Sequence, residues 1–229
     1  MKAIILAAGS GKRMGTGTKD KPKCMLNYND KPLIDYTLDT MCEAGIEDIT
    51  IVHGFKKEII EDHLTTRNIK YIHNDKYKTT NMVYSLFCAE EEMSDDIIVS
   101  YSDIIYNVEI IKRLLKNKNQ FVVTVDKSWE KLWTIRMQNI LNDAETMTVN
   151  ENQEILELGK QPQSMEEIQG QFIGLFKIRS TIIGKIIKFY HKLDKSKKYR
   201  GKNYNNMYMT TFIQLIIDKL LMVKADYIN

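Results

Sequence analysis

The sequence has little that marks a secreted, membrane or nucleic-acid-binding protein. Its 229 residues include only three cysteines, Cys24, Cys42 and Cys88, whose spacing fits neither a disulfide framework nor a zinc site. No apolar run approaches the ~20 residues that span a bilayer, and an apolar strand beginning at Lys2 leaves no space for a signal peptide. The 33 basic and 30 acidic residues are well mixed, and a net charge of +3 is weak for nucleic-acid binding. We therefore expect a cytoplasmic protein that binds neither membranes nor nucleic acid.

The most informative segment that is present follows the first apolar run, Ala3–Leu6. This run ends at Ala7-Ala8-Gly9-Ser10-Gly11, and Lys12 and Arg13 come next. Glycines without Cβ allow positive φ and let backbone N–H groups approach an anion closely. The loop lacks the third glycine of the dinucleotide fingerprint and the Gly-Lys-Ser/Thr ending of a P-loop. It predicts a site for several phosphates in a row, as in a nucleoside triphosphate, with a plain tight turn as the alternative.

Apolar runs of strand length alternate with amphipathic helical stretches through the first half of the chain. This alternation predicts an α/β fold, a Rossmann-like, mostly parallel sheet with helices on both faces. The predicted strands are Lys2–Leu6, Asp48–His53, Ile69–Ile72, Asp96–Tyr101 and Phe121–Val125. The predicted helices are Leu33–Ala44, Lys57–Leu64, Met82–Met93 and Val108–Lys116.

The second half has a different pattern. It predicts a hairpin of Thr146–Val149 and Ile155–Leu158, strands Gln171–Ile178 and Val223–Ile228, and helices Ser180–Leu193 and Thr210–Leu221. No linker composition separates the halves. We expect a single domain, 1–229, in which 1–126 bind a nucleotide and 127–229 form a small lobe for a second substrate.

An acidic residue follows the central predicted strand. Asp103 comes after Asp96–Tyr101 and Ser102, and ligands of open α/β sheets bind at the carboxyl ends of strands. A hard carboxylate at this point suits Mg²⁺ held against triphosphate oxygens. A helix cap or a loop aspartate is the alternative.

Three linked pieces resemble the nucleotidyltransferases that join a nucleoside triphosphate to a small phosphorylated acceptor. They are Leu6–Met14, then Lys21-Pro22-Lys23, then Lys31-Pro32-Leu33-Ile34. The resemblance implies Arg13 and Lys23 as catalytic cations on the phosphates and Asp103 as the Mg²⁺ ligand. It also implies a set of nucleotide-binding residues: Leu6, Ala7, Ala8, Gly9, Ser10, Gly11, Lys12, Arg13, Lys23, Ser102 and Asp103.

The segment Asn74–Leu86 resembles a nucleotide-binding element of the phosphocholine-type cytidylyltransferases. It is rich in small polar residues at the predicted start of a helix, where amides and hydroxyls can contact a base or ribose. The resemblance implies that Thr80, Asn81 and Ser85 face the nucleotide, which would be CTP. Helix capping by Thr80 or Asn81 is the alternative.

The stretch Val125–Arg136 lies past a strand end and carries two tryptophans, Trp129 and Trp133, four residues apart. They could line a cage for a quaternary ammonium or pack as core. With four further segments between Asp143 and Thr210, the stretch resembles CTP:phosphoglutamine cytidylyltransferases of capsule phosphoramidate pathways, which make CDP-L-glutamine from L-glutamine phosphate. That resemblance implies five acceptor-binding residues: Lys127, Trp133, Arg136, Glu167 and Thr210.

Several alternatives stay open from the sequence. The acceptor could be phosphocholine, aminoethylphosphonate or a sugar 1-phosphate, and a nucleotide-binding relic without turnover is the non-enzyme hypothesis. The family usually carries a second metal-binding aspartate near the C-terminus, whereas here Asp226 stands in a different context. We expect a chain truncated before that residue. Many relatives are dimers, so a homodimer is possible.

Overall fold

A computed structural model of the protein describes residues 1–11 and 17–229, without the side chain of Arg136. The strands are β1 (Lys2–Ala7), β2 (Asn27–Tyr28), β3 (Lys31–Pro32), β4 (Asp48–His53), β5 (Ile69–His73), β6 (Ile97–Tyr101), β7 (Phe121–Asp126), β8 (Met147–Val149), β9 (Ile155–Leu158), β10 (Gln171–Ile178), β11 (Lys198–Tyr199), β12 (Lys202–Asn203) and β13 (Lys224–Ile228). The helices are α1 (Leu33–Glu43), α2 (Lys57–His63), α3 (Met82–Cys88), α4 (Val108–Lys116), α5 (Trp129–Arg136), α6 (Ser180–Lys192) and α7 (Met209–Lys219).

Seven strands form one central sheet in the order β13-β7-β10-β6-β1-β4-β5. The strand β10 is antiparallel to both of its neighbours, and the other strand pairs of the sheet are parallel. The predicted α/β class with a mostly parallel sheet is therefore confirmed. We call the edge at which the parallel strands end the carboxyl edge, because ligands of such sheets bind there.

Helices cover both faces of the sheet, as the sequence predicts. On one face, α1, α2 and α4 bury Leu38, Ile60 and Leu114 against the sheet. On the other face, α3, α6 and α7 bury Leu86 and Ile213 in a second core cluster. Strand residues alternate between the two clusters, which is why the strands are apolar on both sides. Among the described residues, no helix is long and apolar enough to cross a bilayer.

Three local predictions differ from the structure. The helix predicted over Met82–Met93 ends at Cys88, and a separate 3₁₀ turn follows at Glu90–Glu92. No helix was predicted over Trp129–Arg136, where α5 forms. The predicted strand Gln171–Ile178 has the expected bounds, but the structure inserts it between β6 and β7. Pairing partners of a strand are set by tertiary packing, which its local pattern does not record.

Candidate active site

The carboxyl edge brings together most of the segments that the sequence singled out. Gly9 follows β1, Ser102 and Asp103 follow β6, and Lys127 follows β7. Because β10 runs the opposite way, its first residue, Gln171, lies opposite Asp126 at the same edge. Segments as far apart in the chain as Gly9 and Gln171 thus meet at one edge of the sheet.

Of the two glycines after β1, Gly11 has the positive φ that the sequence allows. Its φ is +61, and its carbonyl accepts a hydrogen bond of 2.8 Å from the Thr18 hydroxyl. Apart from Gly9 itself and its two chain neighbours, no heavy atom of the described residues lies within 4 Å of the position that a Cβ on Gly9 would occupy. Ser10 is partly exposed beside it, and Ala7 is buried beneath. The predicted Lys12 and Arg13 lie outside the described residues.

A cavity of about 70 Å³ lies between this loop and the start of α3. Six predicted nucleotide-binding residues line it: Leu6, Ala8, Gly9, Thr80, Asn81 and Ser85. Tyr77 and Met82 complete the lining and were not predicted. The backbone of Ala8 is fixed by a residue that does not line the cavity, because the Ala8 carbonyl accepts a hydrogen bond of 3.3 Å from the Phe55 N–H. The two segments predicted to contact a nucleotide therefore form one pocket.

Asn74 was not predicted as a site residue, but it positions two residues that line the cavity, Thr80 and Ser85. It is 1% exposed, and its amide Nδ2 donates hydrogen bonds of 3.0 Å to the hydroxyls of Thr80 and Ser85. Its Oδ1 accepts a hydrogen bond of 2.9 Å from the Lys76 N–H. A backbone N–H can only donate, so this contact fixes which end of the Asn74 amide is oxygen. The sequence signal that could have identified Asn74 is its position directly after β5, because ligands of such sheets bind where parallel strands end.

Asn81 serves two purposes, since it lines the pocket and caps α3. Its side-chain oxygen accepts a hydrogen bond of 2.9 Å from the Met82 N–H. Its backbone N–H donates to the carbonyl of Asn205, and the Asn206 amide donates to the carbonyl of Thr79. The capping alternative and the pocket assignment are thus compatible, and the second half of the chain braces the pocket.

Asp103 and Lys23 form an ion pair at the carboxyl edge. The Lys23 Nζ lies 2.5 Å from Oδ2 of Asp103, and both side chains are partly exposed. Beneath them, burial raises the pKa of the Cys24 thiol to about 12, so Cys24 is protonated and serves as core. Ser102 is buried beside it and hydrogen-bonds the thiol. The structure thus places one carboxylate and one cation at an accessible position.

A single carboxylate is compatible with Mg²⁺, which is usually bound through one or two carboxylates together with substrate phosphates and water. Within the described part of the chain, no group of three or more His, Cys, Asp or Glu residues is arranged to hold a metal. Asp226, which stands near the C-terminus in β13, is bound to the Arg113 guanidinium at 2.9 Å on the α4 face. The pairing of Asp226 explains why its context differs from that of a metal ligand.

The predicted acceptor residues fall into two groups. Thr210, in the first turn of α7, is buried, and its hydroxyl lies 3.4 Å from Oε1 of Glu145. Burial raises the pKa of the Glu145 carboxyl. Burial likewise raises the pKa of Tyr101, and the charges of Glu145 and Asp103 raise it further. Glu145 and Asp103 therefore both lie close enough to Tyr101, the last residue of β6, to act on it electrostatically.

The second group surrounds α5. Trp129 is buried with Ala144 and Ile168, and Trp133 meets it edge to face at a centroid distance of 5.9 Å. Trp129 is therefore core, and the pair does not form two opposite walls of a cage. The Nζ of Lys127 lies over the ring of Tyr227, 4.6 Å from the ring centroid.

The last two predicted acceptor-binding residues, Glu167 and Arg136, also lie in the second half of the chain. The Glu167 carboxylate accepts a hydrogen bond of 2.8 Å from the Gln163 N–H, which closes a short turn. Arg136 ends α5, and its side chain lies outside the described atoms.

Comparison with known proteins adds to this geometry. Residues 3–160 match the family model of the MobA-like NTP transferase domain. The chain belongs to this nucleotidyltransferase family. Over its whole length it is 42% identical to a CTP:phosphoglutamine cytidylyltransferase of Campylobacter jejuni, and it covers 93% of that protein. Over 46% of its length it is 37% identical to a choline-phosphate cytidylyltransferase of Streptococcus pneumoniae, of which it covers 46%.

Solved structures of nucleotidyltransferases share the fold of this member of the family. The inositol-1-phosphate CTP transferase from T. maritima superposes with a TM-score of 0.76 at 20% identity, covering 99% of this chain and 84% of that one. The CTP:phosphocholine cytidylyltransferase from Streptococcus pneumoniae gives a TM-score of 0.74 at 22% identity, covering 100% of this chain and 90% of that one. The predicted nucleotidyltransferase fold and enzyme class are confirmed.

Proposed function

We propose that this nucleotidyltransferase is a Mg²⁺-dependent cytidylyltransferase that transfers CMP from CTP to phosphoglutamine and releases pyrophosphate. The observation that carries the proposal is the likeness to a CTP:phosphoglutamine cytidylyltransferase, which extends over the whole chain at 42% identity. The pocket between the β1 loop and α3 supports it, because that pocket is lined by residues predicted for the nucleotide. The product is CDP-L-glutamine, for capsule phosphoramidate modification.

The proposed reaction requires no general base, because the phosphate of the acceptor is already ionised at neutral pH. Its oxygen attacks the α-phosphorus of CTP in line, the bond from that phosphorus to the bridging oxygen breaks, and pyrophosphate leaves with the electron pair. Catalysis then depends on positioning and on charge neutralisation. Lys23 would hold the α-phosphate and the attacking phosphate, and Arg13 the β- and γ-phosphates. Asp103 would bind Mg²⁺, which supplies further positive charge to the phosphates.

The remaining assignments complete the proposal. Residues 1–126 would bind the nucleotide and residues 127–229 the acceptor. We further propose that the protein acts in the cytoplasm as a homodimer, without nucleic-acid or membrane partners. The proposed nucleotide-binding residues are Leu6, Ala7, Ala8, Gly9, Ser10, Gly11, Lys12, Arg13, Lys23, Thr80, Asn81, Ser85, Ser102 and Asp103. The proposed acceptor-binding residues are Lys127, Trp133, Arg136, Glu167 and Thr210.

Phosphocholine is the second candidate acceptor, favoured by the likeness of nearly half the chain to a choline-phosphate cytidylyltransferase. Recognition of a quaternary ammonium typically uses the faces of several aromatic rings. In this chain Trp129 is 4% exposed and packs against Trp133, so its face is not offered to a ligand. This packing favours phosphoglutamine.

Pyrophosphate release with CTP and Mg²⁺ tests the function. The acceptors would be phosphoglutamine, phosphocholine, phosphoethanolamine, 2-aminoethylphosphonate and glucose 1-phosphate, with UTP replacing CTP as the nucleotide control. Turnover with phosphoglutamine and CTP is the expected result. Turnover with another acceptor instead would overturn the choice of phosphoglutamine. CTP binding without turnover on any acceptor would favour the nucleotide-binding relic.

A further inference from the structure

Glu145 is a partly buried carboxylate that the reaction above does not use. Its side chain has one hydrogen-bond contact among the described residues, with the Thr210 hydroxyl at 3.4 Å. No described cation lies within ion-pair distance of it. An ionised carboxylate removed from water without a partner is costly, and such groups are concentrated at functional sites. Glu145 is therefore a candidate for binding a ligand.

The Arg200 guanidinium, which acts on Glu145 electrostatically, makes its hydrogen bonds to other residues. Arg200 acts on Glu145 through space and lowers the carboxyl pKa, against the larger opposite effect of burial. Its Nη1, however, donates a hydrogen bond of 2.5 Å to the carbonyl of Leu158, and its Nη2 contacts Glu157 at 3.4 Å. Glu157 also pairs with Lys160 at 2.7 Å. These contacts hold Arg200 on β9, so that no described residue serves as a direct counter-ion of the Glu145 carboxylate.

The backbone of Glu145 is fixed at the carboxyl edge. Its N–H donates to Oε1 of Gln171 at 3.2 Å, and its carbonyl accepts from Nε2 of the same side chain at 2.6 Å. Gln171 is 5% exposed and begins β10, opposite Asp126. A charge anchored in this way is preorganised, so a ligand that contacts it loses little affinity to ordering the protein.

Thr210 is held against Glu145 by a close approach of the backbone. Gly159 has φ +81, and a Cβ built on it would lie 2.5 Å from Cβ of Thr210 and 3.1 Å from Nη1 of Arg200. Only glycine fits this position, and its lack of a side chain lets Thr210 stand between the backbone and the carboxylate. The carboxylate and the hydroxyl then present two oxygen acceptors side by side.

We propose that Glu145, assisted by the Thr210 hydroxyl, binds the primary ammonium group of the acceptor and thereby selects acceptors that carry one. This inference rests on the proposed function and adds the group that distinguishes the amino-acid acceptor. A primary ammonium has three N–H donors for these oxygens, whereas a quaternary ammonium has none. Phosphoglutamine carries such a group on its α-carbon, and it would give the carboxylate the cationic partner that no described residue supplies.

The test compares Glu145→Gln with the wild type in equilibrium binding. Titration calorimetry in the presence of a non-hydrolysable CTP analogue would measure the affinity for phosphoglutamine and for its analogue with hydrogen in place of the α-ammonium. We expect the substitution to weaken phosphoglutamine about 10- to 100-fold, the effect of losing a charged hydrogen bond. The deaminated analogue should bind both proteins equally, and the affinity for the CTP analogue should not change.

Glu109→Gln is the matched control, because it removes the same charge from an exposed position on α4. It should leave every affinity at the wild-type value. Equal weakening of phosphoglutamine and of the deaminated analogue by Glu145→Gln would overturn the inference, as would no weakening of either. Wild-type protein that binds phosphoglutamine without pyrophosphate release would overturn the proposed function alone, since the binding comparison does not depend on turnover.

Discussion

Asn74 controls the direction of a hydroxyl proton in the pocket between the β1 loop and α3, which is the proposed nucleotide site, and Asn74→Asp tests this control. In the native structure the amide Nδ2 donates to the Ser85 Oγ at 3.0 Å. Ser85 must then use its own proton elsewhere, and the side chain lines the pocket. We therefore expect the Ser85 hydroxyl to donate to an acceptor atom of the nucleotide.

Aspartate has the shape of asparagine but only accepts hydrogen bonds. The Lys76 N–H can still donate to it, as it does to Oδ1 at 2.9 Å. The Ser85 hydroxyl must now donate to the new carboxylate, so its bond to the nucleotide is lost. One such bond contributes about 1–1.5 kcal/mol, and the expected loss of CTP affinity is about 5- to 13-fold. Thr80 already donates to the carbonyl of Lys76 at 2.9 Å, so its contact with residue 74 is left without a proton.

Calorimetric titration with CTP measures the affinity, and urea unfolding measures the stability of the same variant. Because Asn74 is 1% exposed, we expect the free energy of unfolding of the variant to fall by about 1–3 kcal/mol, with the folded state still dominant. Asn152→Asp makes the same chemical change at an exposed residue between β8 and β9 and should change neither quantity. Wild-type CTP affinity in a folded Asn74→Asp protein would refute the reasoning.

Three further predictions concern other parts of the site. Lys23→Met should lower kcat/KM about 100-fold or more through lost charge stabilisation but change stability by less than about 1 kcal/mol, because its ion pair is partly exposed; activity assays and thermal melts check this, and a large drop in melting temperature with activity retained would contradict it. Glu145→Gln should stabilise the fold at pH 8 but not at pH 4. Burial raises the pKa of the Glu145 carboxyl, so the charged carboxylate destabilises the folded state only above that pKa, and glutamine removes this cost. Thermal melts of the variant and the wild type at both pH values check this. Gly174→Ala should lower the free energy of unfolding by about 2–4 kcal/mol, because φ is +89 and a Cβ would lie 2.3 Å from the Tyr101 ring. Gly184→Ala in α6 is the control and should raise the free energy of unfolding by about 0.5–1 kcal/mol. Urea unfolding compares the two variants, and equal effects would be inconsistent with strain at Gly174.

Much of the fold was predictable because its signals are local. The bounds of β4, α4 and β10 agree with the predicted ranges, and most other elements differ by one or two residues at an end. Short apolar runs between helical patterns depend only on neighbours in the chain. The end of α3 at Cys88 is an exception, because the next turn is 3₁₀ and the amphipathic pattern continues through it.

The lining of the proposed nucleotide pocket was also largely predictable from the sequence. Gly9, Thr80 and Ser85 were assigned from motif resemblance, and the structure places them around one cavity. Asn74 was missed, since its role lies in two side-chain hydrogen bonds to residues further along the chain. Such a contact has no fixed spacing and leaves no pattern to recognise.

The sequence by itself determined the nucleotidyltransferase class, because the β1 loop and Asp103 belong to segments whose residue types and order carry the chemistry. Only the tertiary structure decided the partners of the charged groups. Lys23 meets Asp103 across 80 positions, and Thr210 meets Glu145 across 65. Lys23 and Asp103 meet because β1 and β6 are neighbours in the sheet, whereas Glu145 is held at this edge by Gln171, the first residue of the inserted β10. Side-chain pairing across the sheet follows from strand order, and strand order is a property of the packed molecule as a whole.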